Sequence, residues 1–155
     1  MGAYNTLKAT IPQLKKTKGS ILFVSATLHY RGTVLQAHVS AAKAAIDALS
    51  QVVAVEFGPF GVRSNVISPG GIEGTEGVER LMPKEFREKS GSGVPLGRLG
   101  TVEEIADCTG ISLAERKGVD GVVFIFSQAG KYITGMVFVV DGGQWHRYVG
   151  LPILC

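Results

Sequence analysis

Hydrophobic and polar positions fall into blocks whose period changes along the chain. Residues 4 to 16 carry helical spacing that ends in Lys15 and Lys16, and Lys18-Gly19 closes the segment. Ile21 to Val24 is an apolar run too short for a helix and preceded by glycine, which reads as a buried strand. Ser25 to Ala37, with Gly32, reads as a loop. The longest helical pattern is Ser40 to Phe57, where Ile46, Leu49 and Val53 recur at three- and four-residue spacing. Gly58-Pro59 and Gly61 end it. Val62 to Ile67 reads as a second buried strand, with Arg63 and Asn65 as polar exceptions. Residues 76 to 90 read as short charged helical pieces. Thr101 followed by Glu104 is a capping-box pattern opening a helix at Val102. Met136 to Val140 is a third buried strand, and Asp141-Gly142-Gly143 turns the chain away.

This strand–helix–strand alternation predicts an α/β fold with a parallel sheet. Ser68-Pro69-Gly70-Gly71 then falls at the carboxyl end of a strand, the edge where such sheets bind ligands. Three strands are few for this architecture. No glycine-rich G-x-x-x-G-x-G turn follows a first strand, so the element that would hold a pyrophosphate is missing.

Composition narrows the classes. With 45% hydrophobic and 19% charged residues, the chain has material for a core and is not a disordered segment. The net charge is +3, and part of it is local, at Lys8, Lys15, Lys16 and Lys18. That cluster suits either an anionic ligand or a solvated helix end. No basic and aromatic interleaving points to nucleic acid. The two cysteines, Cys108 and Cys155, form neither a disulfide framework nor a metal-ligand set, and a reducing compartment is the expectation. Lys8 interrupts the early apolar residues, so no signal peptide is expected, and no apolar run is long enough to span a membrane.

Five segments together resemble the short-chain dehydrogenases/reductases. They are Ser40-Ala41-Ala42-Lys43-Ala44-Ala45, Gly61-Val62-Arg63-Ser64-Asn65-Val66-Ile67-Ser68-Pro69-Gly70, Pro95-Leu96-Gly97-Arg98-Leu99-Gly100, Tyr132-Ile133-Thr134-Gly135 and Val140-Asp141-Gly142-Gly143. They stand in the family's order over roughly residues 5 to 146. Within the family the chain is most similar to the fungal type of peroxisomal 2,4-dienoyl-CoA reductases. Gly19 to Thr27, Thr75-Glu76-Gly77 and Gly142-Gly143-Gln144-Trp145-His146 carry that likeness.

The resemblance implies roles for particular residues. The family's usual Tyr, four residues before its Lys, is Val39 here, and its usual Ser is Ala26. A ketone reductase needs an acid such as Tyr to protonate an alkoxide. A conjugated dienoyl thioester takes hydride at its far end and a proton on carbon, so Val39 with Lys43 fits that chemistry better. Lys43 is the implied catalytic residue, holding the ribose of NADPH and helping position a proton-donating water. Pro69, Gly70, Gly71, Ile72, Glu73, Gly74 and Thr75 form the implied cofactor loop, the Ile72 backbone meeting the carboxamide. Arg80 is the implied contact to an acyl-CoA phosphate, with a plain surface arginine as the alternative. His38, five residues before Lys43, points to another face and reads as structural. His29 and Tyr30 match no family position. No metal site is expected.

Two departures qualify the likeness. The resemblance implies that the dinucleotide-binding half, and the acid that holds the water, would precede Met1, leaving the C-terminal part of a Rossmann-like, doubly wound sheet, a single truncated domain over 1–155. Ile105 to Gly135 spans thirty-one residues, about thirteen more than the family pattern, with the surplus near 110–122. A retained intron or gene-model error would explain it. Two function classes follow: an NADPH-dependent 2,4-dienoyl-CoA reductase of which this is the C-terminal part, inactive alone, or a non-catalytic, dimerising fragment or pseudoenzyme. Another acyl-thioester or 3-oxoacyl reductase is the runner-up among enzymes. Ala41, Ala42, Ala44, Ala45 and Ala48 give the 40–57 helix a small-residue side, suited to a homo-oligomer contact or to close packing on the sheet. Peroxisomal residence is what the resemblance implies, although Pro152-Ile153-Leu154-Cys155 is not a Ser-Lys-Leu-type terminus.

Overall fold

In the computed structural model, the described residues are 2–82, 90–109, 125–127 and 130–146. Residues 83–89 of the expected 76–90 helical stretch, the surplus segment near 110–122 and the C-terminal residues lie outside them. The order is α1 (Gly2–Thr17), β1 (Ser20–Val24), α2 (Ala37–Phe57), β2 (Arg63–Pro69), α3 (Glu76–Leu81), α4 (Val102–Thr109) and β3 (Val137–Val140). The strands form one parallel sheet in the order β1-β2-β3. The α/β expectation holds.

Phe23 of β1 pairs with Val66 of β2, and Val66 with Val137 of β3, so the three share one face. Leu7 of α1 and Val53 of α2 pack on that face, with Ile11, Ile46, Leu49 and Phe57 around them. The periodic apolar positions of the sequence are therefore the ones that build the core.

Several boundaries differ from the pattern. Helix α2 begins at Ala37, three residues before the expected start, because the Gln36 carbonyl already accepts from Ser40 N at 2.8 Å. Gly58 stays right-handed and continues into a short 3-10 turn through Phe60. Gly61, at φ +78, reverses the chain, a conformation that favours glycine. Helix α1 retains Pro12 in its interior and forgoes one backbone hydrogen bond there. The segment 25–37 contains a 3-10 turn at Thr27–His29. Only β2 is buried along nearly its whole length. Strands β1 and β3 flank it and are largely half-buried, with Val24 55% exposed, so they are not the fully buried strands their apolar runs suggest.

The polar exceptions of β2 have a function in the fold. Arg63 Nη1 donates to the carbonyls of Ile125, Gly130 and Ile133 at 2.7, 3.1 and 3.2 Å. Asn65, fully buried, donates from Nδ2 to Ile133 O and accepts Met136 N at Oδ1, both at 3.1 Å. Ser64 N donates to Thr134 Oγ1 at 3.0 Å and its carbonyl accepts Gly135 N. These side chains bracket the segment that leads into β3. Lys15 takes a course outside both readings of the basic cluster: its ammonium lies 3.9 Å over the Phe60 ring and 4.9 Å over Phe57, tying the end of α1 to the end of α2.

The capping box forms as the sequence predicts. Glu104 N donates to Thr101 Oγ1 at 3.2 Å and Thr101 N donates to Glu104 Oε2 at 2.9 Å. Arg98 grips the same carboxylate with two bonds, at 2.8 and 2.6 Å. The Arg98 hydrogen bond and then the Thr101 amide lower the Glu104 pKa to about 2. The folded value lies below the unfolded one. The stabilisation from Glu104 is therefore complete above about pH 4.5 and is lost as pH falls toward about 2. Thermal unfolding between pH 2 and 6 should show this loss, and Glu104→Gln should flatten it; an unchanged pH profile in the variant would overturn the assignment.

Candidate active site

Lys43 stands in the second turn of α2, at the carboxyl edge of β1. Its Nζ donates to the carbonyl of Val24, the last residue of β1, at 3.0 Å. Ser25 Oγ in turn donates to the Lys43 carbonyl at 3.2 Å, and Ser25 N to Ile67 O at 2.8 Å. Helix, strand end and lysine are thus locked to one another, and Lys43 as a residue is half-buried. Val39, one turn earlier, and Ala26, next to Ser25, carry no group that could donate a proton.

The loop after β2 is shaped by close approach. Pro69 pairs with Val140, and Gly70 N donates to Val140 O at 3.0 Å. A Cβ at Gly70 would stand 2.6 Å from the Asp141 Cβ and 3.0 Å from its Cα, so only glycine fits. Gly71 O accepts Gly100 N at 3.0 Å and Glu73 N donates to Gly100 O at 2.9 Å, a parallel bridge that buries Ile72. Gly74 has φ +66 and nothing within 4 Å of where a side chain would lie, so its backbone is open to approach. Thr75 caps α3: its hydroxyl accepts Val78 N and donates to Ile72 O at 2.8 Å. Asp141, next to the loop, accepts the amides of Gly143, Gln144 and Trp145 at 2.9, 3.1 and 2.7 Å and so closes the turn after β3.

On the outer side of the loop, Glu73, Gly74, Val78, Arg98 and Leu99 line a cleft of about 360 Å³. Arg80 lies on the exposed face of α3 and pairs with Glu76 at 2.9 Å. His38 is exposed in the first turn of α2. The structure therefore places Lys43 and the Pro69–Thr75 loop at the same carboxyl edge of adjacent strands. Arg80 is one helix further out.

Sequence reasoning missed one polar group. Asp47 is buried on α2 and receives two hydrogen bonds of 2.8 Å at Oδ2, one involving His29 Nε2 and one from the Tyr30 hydroxyl. Burial raises the Tyr30 pKa, the Asp47 hydrogen bond and charge add to the rise, and Ser68 opposes it. The signal was available. Asp47 shares the stripe of Ser50, Val53 and Ala54, and an aspartate on a buried stripe needs donors from elsewhere.

A family model described as enoyl-(acyl carrier protein) reductase matches residues 1–144. The peroxisomal 2,4-dienoyl-CoA reductase of Saccharomyces cerevisiae is 53% identical over 146 residues, which are 94% of this chain and 46% of that protein. An oxidoreductase of the short-chain dehydrogenase/reductase family from Burkholderia thailandensis superposes with a TM-score of 0.75 at 25% identity, covering 93% of this chain and 52% of that one. A 3-oxoacyl-[acyl-carrier protein] reductase from Brucella melitensis, solved with bound NAD, gives 0.74 at 25% identity over 93% and 48%. The chain spans about half the length of the curated relatives it matches. Matched over nearly all of its length by sequence and by fold, this chain belongs to the short-chain dehydrogenase/reductase family.

Proposed function

We propose that this chain forms the lysine-bearing half of an NADPH-dependent 2,4-dienoyl-CoA reductase, one that converts a 2,4-dienoyl-CoA to a 3-enoyl-CoA during β-oxidation of unsaturated fatty acids. The observation that carries the reading is Lys43 fixed on Val24 O, with Val39 and Ala26 where a carbonyl reductase of this family has its acid. The 53% identity to a peroxisomal dienoyl-CoA reductase supports the same substrate class and the same compartment.

The residues present fit a nicotinamide cofactor. Gly70 lets the loop pass against Asp141, and the open backbone at Gly74 gives an extended group a place to lie. Bound there, the reduced nicotinamide supplies the hydride. Lys43 orients ribose hydroxyls and holds a water for proton delivery to carbon. Pro69, Gly70, Gly71, Ile72, Glu73, Gly74 and Thr75 line the cofactor. Ile72 contributes backbone, since its side chain is buried and the Thr75 hydroxyl is already engaged. Arg80 meets a substrate phosphate by exchanging its exposed pair with Glu76, and pairs of that kind are weak.

Association follows from α2. Ala41, Ala44, Ala45, Ala48, Val52 and Val55 recur at three- and four-residue spacing and are all exposed, Val55 at 78%. Packing on the sheet uses the opposite stripe, which leaves this side for a second copy of the chain. Sedimentation equilibrium should give a homo-oligomer, and Ala48→Arg should give a monomer of unchanged circular dichroism. A wild-type chain that stays monomeric would remove the interface.

The activity is tested by following NADPH absorbance with a 2,4-dienoyl-CoA. Two proteins are compared: this chain, and this chain joined to the N-terminal half of the S. cerevisiae relative. Turnover is expected in the joined protein only, and Lys43→Ala should lower its kcat by about 10²-fold or more. Reduction of a 3-oxoacyl thioester in place of the dienoyl substrate would overturn the reading. Turnover in neither protein would favour the non-catalytic, oligomerising fragment.

A further inference from the structure

The polar cluster around Asp47 plays no part in the reading above. Asp47 is 8% exposed, and a carboxylate taken out of water is costly unless donors meet it. Both donors come from one loop, His29 and Tyr30, and both meet the same oxygen at 2.8 Å. The other oxygen, Oδ1, and His29 Nδ1 are buried without a partner among the described residues.

The loop that supplies these donors is fastened at several points. At its root, Ser25 Oγ donates to the Lys43 carbonyl and Lys43 Nζ donates to Val24 O. At its tip, His29 and Tyr30 reach Asp47, which stands one turn beyond Lys43 on the same helix. Further on, Arg31 Nη1 donates to Gln144 O at 2.9 Å, and the Tyr30 ring lies 5.9 Å from the Trp145 ring. Residues 25–31 therefore bind two successive turns of α2 and the turn after β3. Packing alone would be served as well by an apolar side chain at position 47. What the carboxylate adds is two directed bonds to this one loop.

We propose that Asp47 is a positioning residue for Lys43: by gripping His29 and Tyr30 one turn away, it holds the loop whose root fixes the lysine against β1. The role of Lys43 rests on the reductase reading; the mechanical coupling does not.

The test uses the 155-residue chain. Amide hydrogen exchange at Tyr30, whose N–H is bonded to Thr27 O, reports on the loop. The 15Nζ resonance of Lys43, assigned with Lys43→Arg, reports on the lysine. In Asp47→Ala, loss of hydrogen bonds to a charged group should speed Tyr30 exchange about 10-fold or more, and the Lys43 signal should shift. Asp47→Asn keeps the shape and one acceptor for the Tyr30 hydroxyl, so both readouts should return most of the way to wild type. A folded Asp47→Ala whose Lys43 signal does not move overturns the proposal, even if the loop exchanges faster. An Asn variant indistinguishable from Ala overturns it as well. If Asp47→Ala does not fold, Tyr30→Phe takes its place; it removes one bond and keeps the ring beside Trp145. A smaller shift of the Lys43 signal is then expected, and no shift overturns the proposal. No turnover enters any readout, so this proposal and the reductase reading can fail separately.

Discussion

Arg63 and Asn65 occupy the strand with least access to water, and both direct their side chains to backbone groups. Their partners, the carbonyls of Ile125, Gly130 and Ile133 and the amide of Met136, belong to the segment entering β3. That bracket decides where β3 lies. The register Val66 to Val137 and Pro69 to Val140 follows from it, as does the placement of Val137 beside the Phe23–Val66 core. The contact of Gly70 with Asp141, with no room for a Cβ, depends on the same placement. A loop at the carboxyl edge of β2 can serve a ligand only if its take-off point is fixed, and two polar side chains in an apolar strand fix it. The cost of burying them is met because their bonds are made.

Much of this is legible in the sequence. The apolar periods gave helix and strand identities correctly, and Thr101 with Glu104 announced a cap that forms atom for atom. Lys43 and the Pro69–Thr75 loop stand out by their place in an ordered set of short segments, and both lie at the carboxyl edge of the sheet. What was not legible depends on contacts distant in sequence. The start of α2 at Ala37 is set by Gln36 and by loop packing rather than by an apolar period. The partial exposure of β1 and β3 comes from their place in the sheet, which an apolar run does not encode. Arg63 and Asn65 read as exceptions because their partners are sixty and more residues away. The Asp47 cluster was missed because its donors sit on a loop that matched no family position.

The site has two sides of different character. The Pro69–Thr75 side is built from backbone: strand pairing with Val140, the bridge at Gly100, and glycines where side chains would collide or where the surface must stay open. The Lys43 side is built from side chains: Ser25 and Lys43 grip backbone carbonyls, and His29 and Tyr30 grip the Asp47 carboxylate. A backbone cradle suits a cofactor whose shape is constant. In the proposed role of holding a ribose and a water, the lysine needs its own position settled first, because a single flexible ammonium orients nothing unless its stem and helix are fixed.

Every anchor described on the two sides lies within residues 24 to 145. Val24 and Ser25 hold the lysine wall; Val140, Asp141 and Gly100 hold the loop. The relative placement of wall and loop is set by β1 and β2, whose pairing from Ser20–Arg63 to Val24–Ile67 ends at the residues that carry them. The geometry of this candidate site is therefore a property of the chain itself. Replacing the usual Tyr and Ser with Val39 and Ala26 removes the proton donors from that geometry and leaves its frame in place. Under the reductase reading proposed above, the proton then comes from a positioned water rather than from the wall.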